Sequence, residues 1–287
     1  MGGAPALGRV PSKRCARRER PTQGKAMTAP AWAPNGAALR DYQNGLVGAE
    51  VTVRGEDGAE ERVPAAVFFR GPAEFSALEE AALGCCRGRV LDAGAGAGSH
   101  SLDLQARGLP VVALDVSPEA VAVMRERGVR DVRCGDIFTL RGERFDTLLM
   151  MMNGVGIAGS LAGLDRLLGT IHRLLAPDGQ FLLDSYDPRD PDVPADPGSE
   201  SKAQYVGEMR FQLEYAGVCG PFYEWLFVDL PTLTDRAARA GFCCEGLWHE
   251  EEGHYFARLT SVGGRPRDGL VQRTKSPRQE ATHGPNR

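Results

Sequence analysis

The sequence predicts an α/β chain built around a doubly wound parallel sheet with helices on both faces. Two observations carry that expectation. From about residue 88, short apolar runs alternate with segments of helix length. The first of these runs ends in an acid and enters three alternating glycines, Val90-Leu91-Asp92-Ala93-Gly94-Ala95-Gly96-Ala97-Gly98. Glycines so spaced let a strand turn sharply into a helix and let the backbone approach a ligand closely. The pattern marks a nucleotide-type cofactor.

The elements follow in order. A helix is expected within 37–48. A hairpin is expected from Glu50–Arg54 and Glu60–Val63, turning at Asp57-Gly58. A further helix is expected over Ala73–Leu83. Strand one is Arg89–Asp92, and its helix is Ser99–Arg107, stopped by Gly108 and Pro110. Strand two, Val111–Asp115, leads to a helix at Pro118–Arg127 with Ser117 as its cap and Pro118 in its first turn. Strand three is Asp131–Cys134 and strand four Phe145–Met151. A helix over Ser160–Leu175 and a turn at Ala176–Gly179 precede strand five, Gln180–Asp184. The alternation then breaks. Asp187–Pro197 reads as a loop, and Tyr205–Tyr215 with Phe222–Val228 as two strands, making 186–229 an insertion. A helix at Leu230–Ala240 and an antiparallel hairpin, Cys243–Trp248 with His254–Thr260, close the chain.

Composition bounds the function. At 287 residues the chain can bury a sizeable core, and no apolar run is long enough to span a membrane. The net charge of -4 conceals basic ends and an acidic middle, which argues against a nucleic-acid surface. The seven cysteines are odd in number and lack any C-x-x-C spacing. Buried free thiols in a reducing cytoplasm are expected, with no metal site. His249 and His254 flank a Glu-rich turn and read as solvated. The Arg-rich first 30 residues have no secretory apolar core and read as a disordered basic tail, with Met27 a candidate start. Residues 263–287 read as a second such tail.

The motifs carry the chemistry. Asp115 closes the second strand, where a carboxylate accepts hydrogen bonds from both hydroxyls of a ribose. Asp136, in Cys134-Gly135-Asp136-Ile137-Phe138, is placed to take an adenine amine while Ile137 packs on the ring. The dinucleotide fingerprint requires a third glycine where Ser99 stands. A pyrophosphate would also meet the charge of Asp92. S-adenosylmethionine has no phosphate and carries an ammonium and a sulfonium, so the acidic loop favours it.

Asp92-x-Gly94-x-Gly96-x-Gly98, Asp115, Asp136 and Leu174-Leu175-Ala176-Pro177-Asp178-Gly179-Gln180 together resemble the class I S-adenosylmethionine-dependent methyltransferases over residues 85–185. Met152-Asn153-Gly154 and the Trp225-Leu226-Phe227-Val228-Asp229 stretch resemble an uncharacterised bacterial branch of that class. The resemblance implies a Rossmann-like seven-stranded sheet in order 3-2-1-4-5-7-6 with strand 7 antiparallel. It also implies a cofactor set of Asp92, Gly94, Ala95, Gly96, Asp115, Val116, Asp136, Ile137, Met152 and Asn153. Met151 and Met152 either line the cofactor cleft or belong to the core. Asn153 is followed by Gly-Val-Gly rather than Pro-Pro-Tyr, which argues against methylation of DNA or glutamine amines.

The domain reading is a 37–83 extension, a candidate lid, and a methyltransferase domain over 84–262 interrupted by the 186–229 insertion. The expected activity is methyl transfer to a small-molecule acceptor. The alternatives are a cofactor-binding protein without catalysis and an NAD(P)-dependent oxidoreductase. Candidate catalytic groups at the strand ends are Asn153, Asp184, Tyr186 and Asp187, with His100 in the first turn of its helix.

Overall fold

The computed structural model describes residues 30–189, 205–250 and 253–263. Both basic tails, Met27 and most of the 187–197 loop lie outside the described residues. The helices are α1 (Ala33–Gln43), α2 (Ala77–Cys85), α3 (Ser99–Ala106), α4 (Pro118–Arg127), α5 (Leu161–Leu174) and α6 (Leu230–Arg239). The strands are β1 (Glu50–Gly55), β2 (Glu60–Pro64), β3 (Val90–Ala93), β4 (Val111–Asp115), β5 (Asp131–Cys134) and β6 (Phe145–Met150). They continue with β7 (Leu175–Tyr186), β8 (Glu208–Tyr215), β9 (Val218–Cys219), β10 (Tyr223–Leu226), β11 (Phe242–His249) and β12 (His254–Ser261).

Seven strands form the main sheet in the order β11-β12-β7-β6-β3-β4-β5. Strands β3 to β7 run parallel, and β12 pairs antiparallel with both β7 and β11. This is the expected 3-2-1-4-5-7-6 order. Alternate residues face opposite layers, as strand geometry requires. Leu91, Leu148 and Leu183 pack with Leu164, Leu168 and Ile171 of α5 and Leu233 of α6. Their neighbours Val90, Leu149 and Leu182 pack with Leu78 and Leu83 of α2 and Leu104 of α3.

Several boundaries differ from the sequence reading, each for a local reason. The first helix begins at Ala33 because Pro34 suits a first turn, and the chain turns at Gly45, whose φ is +101°. The 73–83 segment is two elements. Pro72–Glu74 is a 3-10 turn, and Ser76 starts α2 through a reciprocal capping box with Glu79. The turn at 176–179 lies inside β7 as a bulge, since Phe145 pairs with Leu175 and Thr147 with Gln180. The strand expected at 205–215 starts at Glu208. The cysteines described are free, but they are not the buried thiols expected. Cys134, Cys219 and Cys243 are exposed, while Cys85, Cys86 and Cys244 are half-buried.

The extension and the insertion form one sheet. Strands order as β10-β8-β1-β2, with β9 beside β8, so the N-terminal hairpin pairs with the insertion. Helix α1 packs beneath it, and Tyr215 donates to Asp41 at 2.8 Å. The other side of α1 lies on α4, where Leu39 meets Ala120 and Val123. Arg127 at the end of α4 ties the parts together. Its guanidinium donates to Ala97 O at 2.6 Å, Ser99 Oγ at 3.2 Å and Phe69 O at 3.2 Å, and lies 4.8 Å from the Phe69 ring centroid. Among the described residues no helix is long and apolar enough to cross a membrane.

Arg127→Ala removes these bonds and leaves partly buried carbonyls without a donor. The variant should lose about 1–3 kcal/mol in urea unfolding. An unchanged midpoint would show that the clamp carries no stability.

Candidate functional site

The glycine turn lies at the carboxyl end of β3. Gly94, Gly96 and Gly98 have φ of +78°, +57° and +82°, a region costly for other residues. Gly98 is also tight, because a Cβ there would lie 2.9 Å from Met124 and Val129 side chains. Gly94 differs, since a Cβ there would have no heavy atom within 4 Å. Phe68 lies over Gly96, with Cδ1 3.7 Å from where a Cβ would stand. Ser99 Oγ donates to Phe68 O at 2.7 Å and holds this segment on the turn.

Carboxyls ring the turn. Asp92 is buried and accepts from Ser101 Oγ at 2.6 Å. Burial pushes its carboxyl above the ordinary range, against the pull of nearby His100. Asp115 accepts from Gly96 N–H at 2.9 Å and Ser117 N–H at 2.8 Å, one on each oxygen. Burial raises this carboxyl as well. The Val116 N–H also favours the ionised carboxyl, and the two oxygens keep acceptor capacity beyond these donors for a ribose hydroxyl. Val116, the next residue, is 37% exposed. Asp136 Oδ1 accepts from Phe138 N–H at 2.8 Å, capping its own turn. Ile137 is 3% exposed and packs in the main core.

His100 belongs to an ion relay. Its Nε2 lies 2.9 Å from Glu79 Oε1. Arg70 grips the same carboxylate at 2.8 and 3.0 Å, and Ser76 N–H donates at 2.8 Å. Burial opposes the charge on Glu79, yet His100, Ser76 and Arg70 outweigh it and hold the carboxyl at about 2. Burial also opposes charge on His100, but Glu79 and Asp92 prevail and raise its imidazole. Glu79 was legible as Ser76-x-x-Glu79, a capping-box spacing. Arg70 and Phe68 carry no comparable local signal.

After β6 the chain twists. Met152 and Asn153 are consecutive non-glycine residues at φ of +58° and +55°, a strained pair of the kind found at functional sites. Asp184 sustains the twist by accepting Asn153 N–H at 2.9 and 3.1 Å. The Asn153 side chain is engaged at both its ends, donating to Leu226 O at 3.3 Å and accepting from Ser185 Oγ at 2.8 Å. Met152 is 40% exposed beside Arg70, whereas Met151 is buried in the core. Burial raises the Asp184 carboxyl to about 7, although the Asn153 N–H opposes the shift. Asp187 pairs with Arg189, which lowers its carboxyl. Tyr186 packs edge-on against Phe227 and His254. The strand ends thus gather His100, Asn153 and Asp184 on a common rim, with Asp187 drawn off into its ion pair.

Glu79 and His100 give opposite pH signatures. The lowered Glu79 carboxyl contributes stability above its usual 4.5 that is lost as pH falls toward about 2. The raised His100 imidazole contributes stability below its usual 6.5 that is lost as pH rises through the raised value. The stability gap between wild type and Glu79→Gln in urea should therefore peak near about pH 5–6 and narrow on both sides. A gap independent of pH would contradict the relay.

Known proteins match this arrangement. The family described as "Methyltransferase domain" matches residues 90–179. An S-adenosylmethionine-dependent methyltransferase from Bacteroides fragilis, solved with S-adenosyl-L-homocysteine, is 36% identical with a TM-score of 0.73. The match covers 82% of this chain and 98% of that one. DhpI, solved with the same ligand, is 19% identical over 81% of this chain and 96% of its own, with a TM-score of 0.53. CcbJ methyltransferase from Streptomyces caelestis is 16% identical over 65% and 88%, with a TM-score of 0.51. These last two share the fold. No curated protein matches the sequence. The residues present suit the cofactor. The backbone is bare at Gly94, lone pairs are free on Asp115, and the acids fit a ligand that bears a sulfonium rather than phosphates. With that fold, that turn and a 36% identical relative spanning most of its length, the chain belongs to the class I S-adenosylmethionine-dependent methyltransferases.

Proposed function

We propose that the chain methylates a small molecule held between the strand ends and the second sheet. The observation that supports this is the seating of β10 on the turn that follows β6. Gly156 packs on the Trp225 ring so closely that a Cβ would lie 2.1 Å away, and Gly159 lies against Glu224. The chain thereby roofs its own acceptor side. An aromatic row of Tyr186, Phe227, Phe211, Tyr223 and Trp225, the last two on β10, runs along this seam, with successive ring centroids 6.1, 6.3, 6.4 and 6.0 Å apart. A roofed aromatic site suits a compact acceptor better than a polymer. The acidic middle of the chain disfavours nucleic acid as well.

S-adenosylmethionine supplies a methyl group already activated on sulfonium. The chain's task is then to hold the acceptor in line, which contributes much of the rate. Asp115, with lone pairs on both oxygens, would hold the ribose, and Asp136 with Val116 the adenine. Burial pushes the Tyr223 phenol up to about 12, and its hydroxyl has no hydrogen-bond partner among the described residues. It stays protonated at neutral pH and can donate to a lone pair on the acceptor. Where the acceptor must lose a proton, His100 could take it only in its neutral form, which its pairing with Glu79 and the nearby Asp92 disfavour. Asn153 is committed to Leu226 and Ser185, and Asp187 to Arg189.

Two measurements test this reading. Asp115→Ala should weaken S-adenosylhomocysteine binding by about tenfold or more in calorimetry, the equivalent of one charge-assisted bond. Unchanged affinity in a folded variant would remove Asp115 from the ribose site. A metabolite extract incubated with isotopically labelled methyl donor should yield a labelled small molecule. Binding of the donor without any labelled product would identify a cofactor-binding protein without catalysis.

A further inference from the structure

We propose that Asp184 is a specificity-determining residue that lets the site favour the positively charged methyl donor over its neutral product. The inference depends on the family's cofactor and not on the identity of the acceptor.

Asp184 is 7% exposed and has no cationic side chain in ion-pair contact among the described residues. Its carboxyl is met by main-chain N–H of Asn153. The groups around it come from four elements. Helix α3 brings His100 and α2 brings Glu79, and both are felt at Asp184. The His100 charge is shared with Glu79, which Arg70 also grips. Strand β12 presents Phe256 in register with Asp184, an apolar face. The segment after β6 brings the Asn153 main chain. A buried carboxyl so placed is costly to ionise without a cation.

Position makes the site of the charge relevant. Strand β7 lies beside β6, and β6 beside β3, whose end carries Asp92 and the glycine turn. Two strand spacings are about 10 Å, a range over which charges still interact where water is excluded. S-adenosylmethionine and S-adenosylhomocysteine share their adenosine and amino-acid ends. They differ by one methyl group and the positive charge on sulfur. A carboxylate that feels this charge separates donor from product and favours release of the product.

The sign follows from linkage. A cation bound nearby favours ionised Asp184, so binding the donor expels a proton and donor affinity rises with pH. The product lacks the sulfonium, and whatever its ammonium gains from the same ionisation the donor's ammonium gains equally, so that part cancels in the ratio. With its carboxyl raised to about 7, Asp184 passes from mostly ionised to mostly neutral over the neutral range. The ratio of donor to product affinity in wild type should therefore fall about tenfold between about pH 8 and about pH 6.

Calorimetry with both ligands across that range, on wild type, Asp184→Asn and His100→Asn, tests the proposal. The ratio in Asp184→Asn should be low at pH 8 and nearly flat, while His100→Asn should keep most of the wild-type slope. Binding in buffers of different ionisation enthalpy gives a second readout on wild type alone, with more protons released for the donor than for the product. A purely structural role for Asp184 would weaken both ligands equally. That result, an unchanged ratio in Asp184→Asn, or equal proton release for the two ligands would overturn the proposal.

Discussion

Three parallel strands end in carboxyls that the fold removes from water without giving them a cationic side chain in ion-pair contact. Asp92 sits on β3, Asp115 on β4 and Asp184 on β7, and burial raises all three. A carboxylate so placed costs several kcal/mol unless hydrogen bonds or a cation compensate. Here the compensation comes from main-chain N–H groups and one serine. Gly96 and Ser117 serve Asp115, Asn153 serves Asp184 and Ser101 serves Asp92. Much of the local shape follows from that need. The glycine turn must fold back to aim an N–H at Asp115, and Met152-Asn153 must enter the left-handed region to aim one at Asp184. The rim left by these turns is acidic and lies where parallel sheets bind their ligands.

The extension and the insertion complete that rim together. Neither is an independent unit, because the N-terminal hairpin finds its sheet partner in β8, far along the chain. Pairing of β1 with β8 carries β10 onto the turn after β6, while the segment after β2 lays Phe68–Arg70 on the glycine turn. Arg127 and Ser99 fasten the second contact, and Asn153 with Leu226 the first. Residues 68–70 and 223–226 therefore seat on the turns that follow β3 and β6. Motion of the second sheet would be felt at both turns.

The central architecture was legible because its signals are local. Strand and helix periods, Ser117-Pro118, and the acids Asp92 in β3, Asp115 in β4 and Asp136 after β5 lie within short windows of sequence. The order of the seven strands came from resemblance rather than from periodicity. The pairing that makes the second sheet was not legible, since no local signal pairs residues 52–55 with 211–214. The Arg70-Glu79-His100 relay escaped for the same reason: each member has an ordinary local reading, as turn, cap and first helical turn. Asn153 stood out as a catalytic candidate because its position after β6 is informative and its hydrogen-bond partners are not visible in sequence. In the folded chain its amide and carbonyl are spent on holding the insertion in place.

The most direct measurement is a crystal structure of the chain with S-adenosylhomocysteine. The ribose hydroxyls should lie within hydrogen-bond distance of the Asp115 carboxylate. The adenine should lie beside Val116 and Asp136, and the amino-acid end on the Gly94–Gly96 turn under Phe68. A ligand bound elsewhere, or one whose ribose leaves Asp115 bonded to Gly96 and Ser117 alone, would contradict the claim that the strand-end carboxyls are the cofactor's receptors.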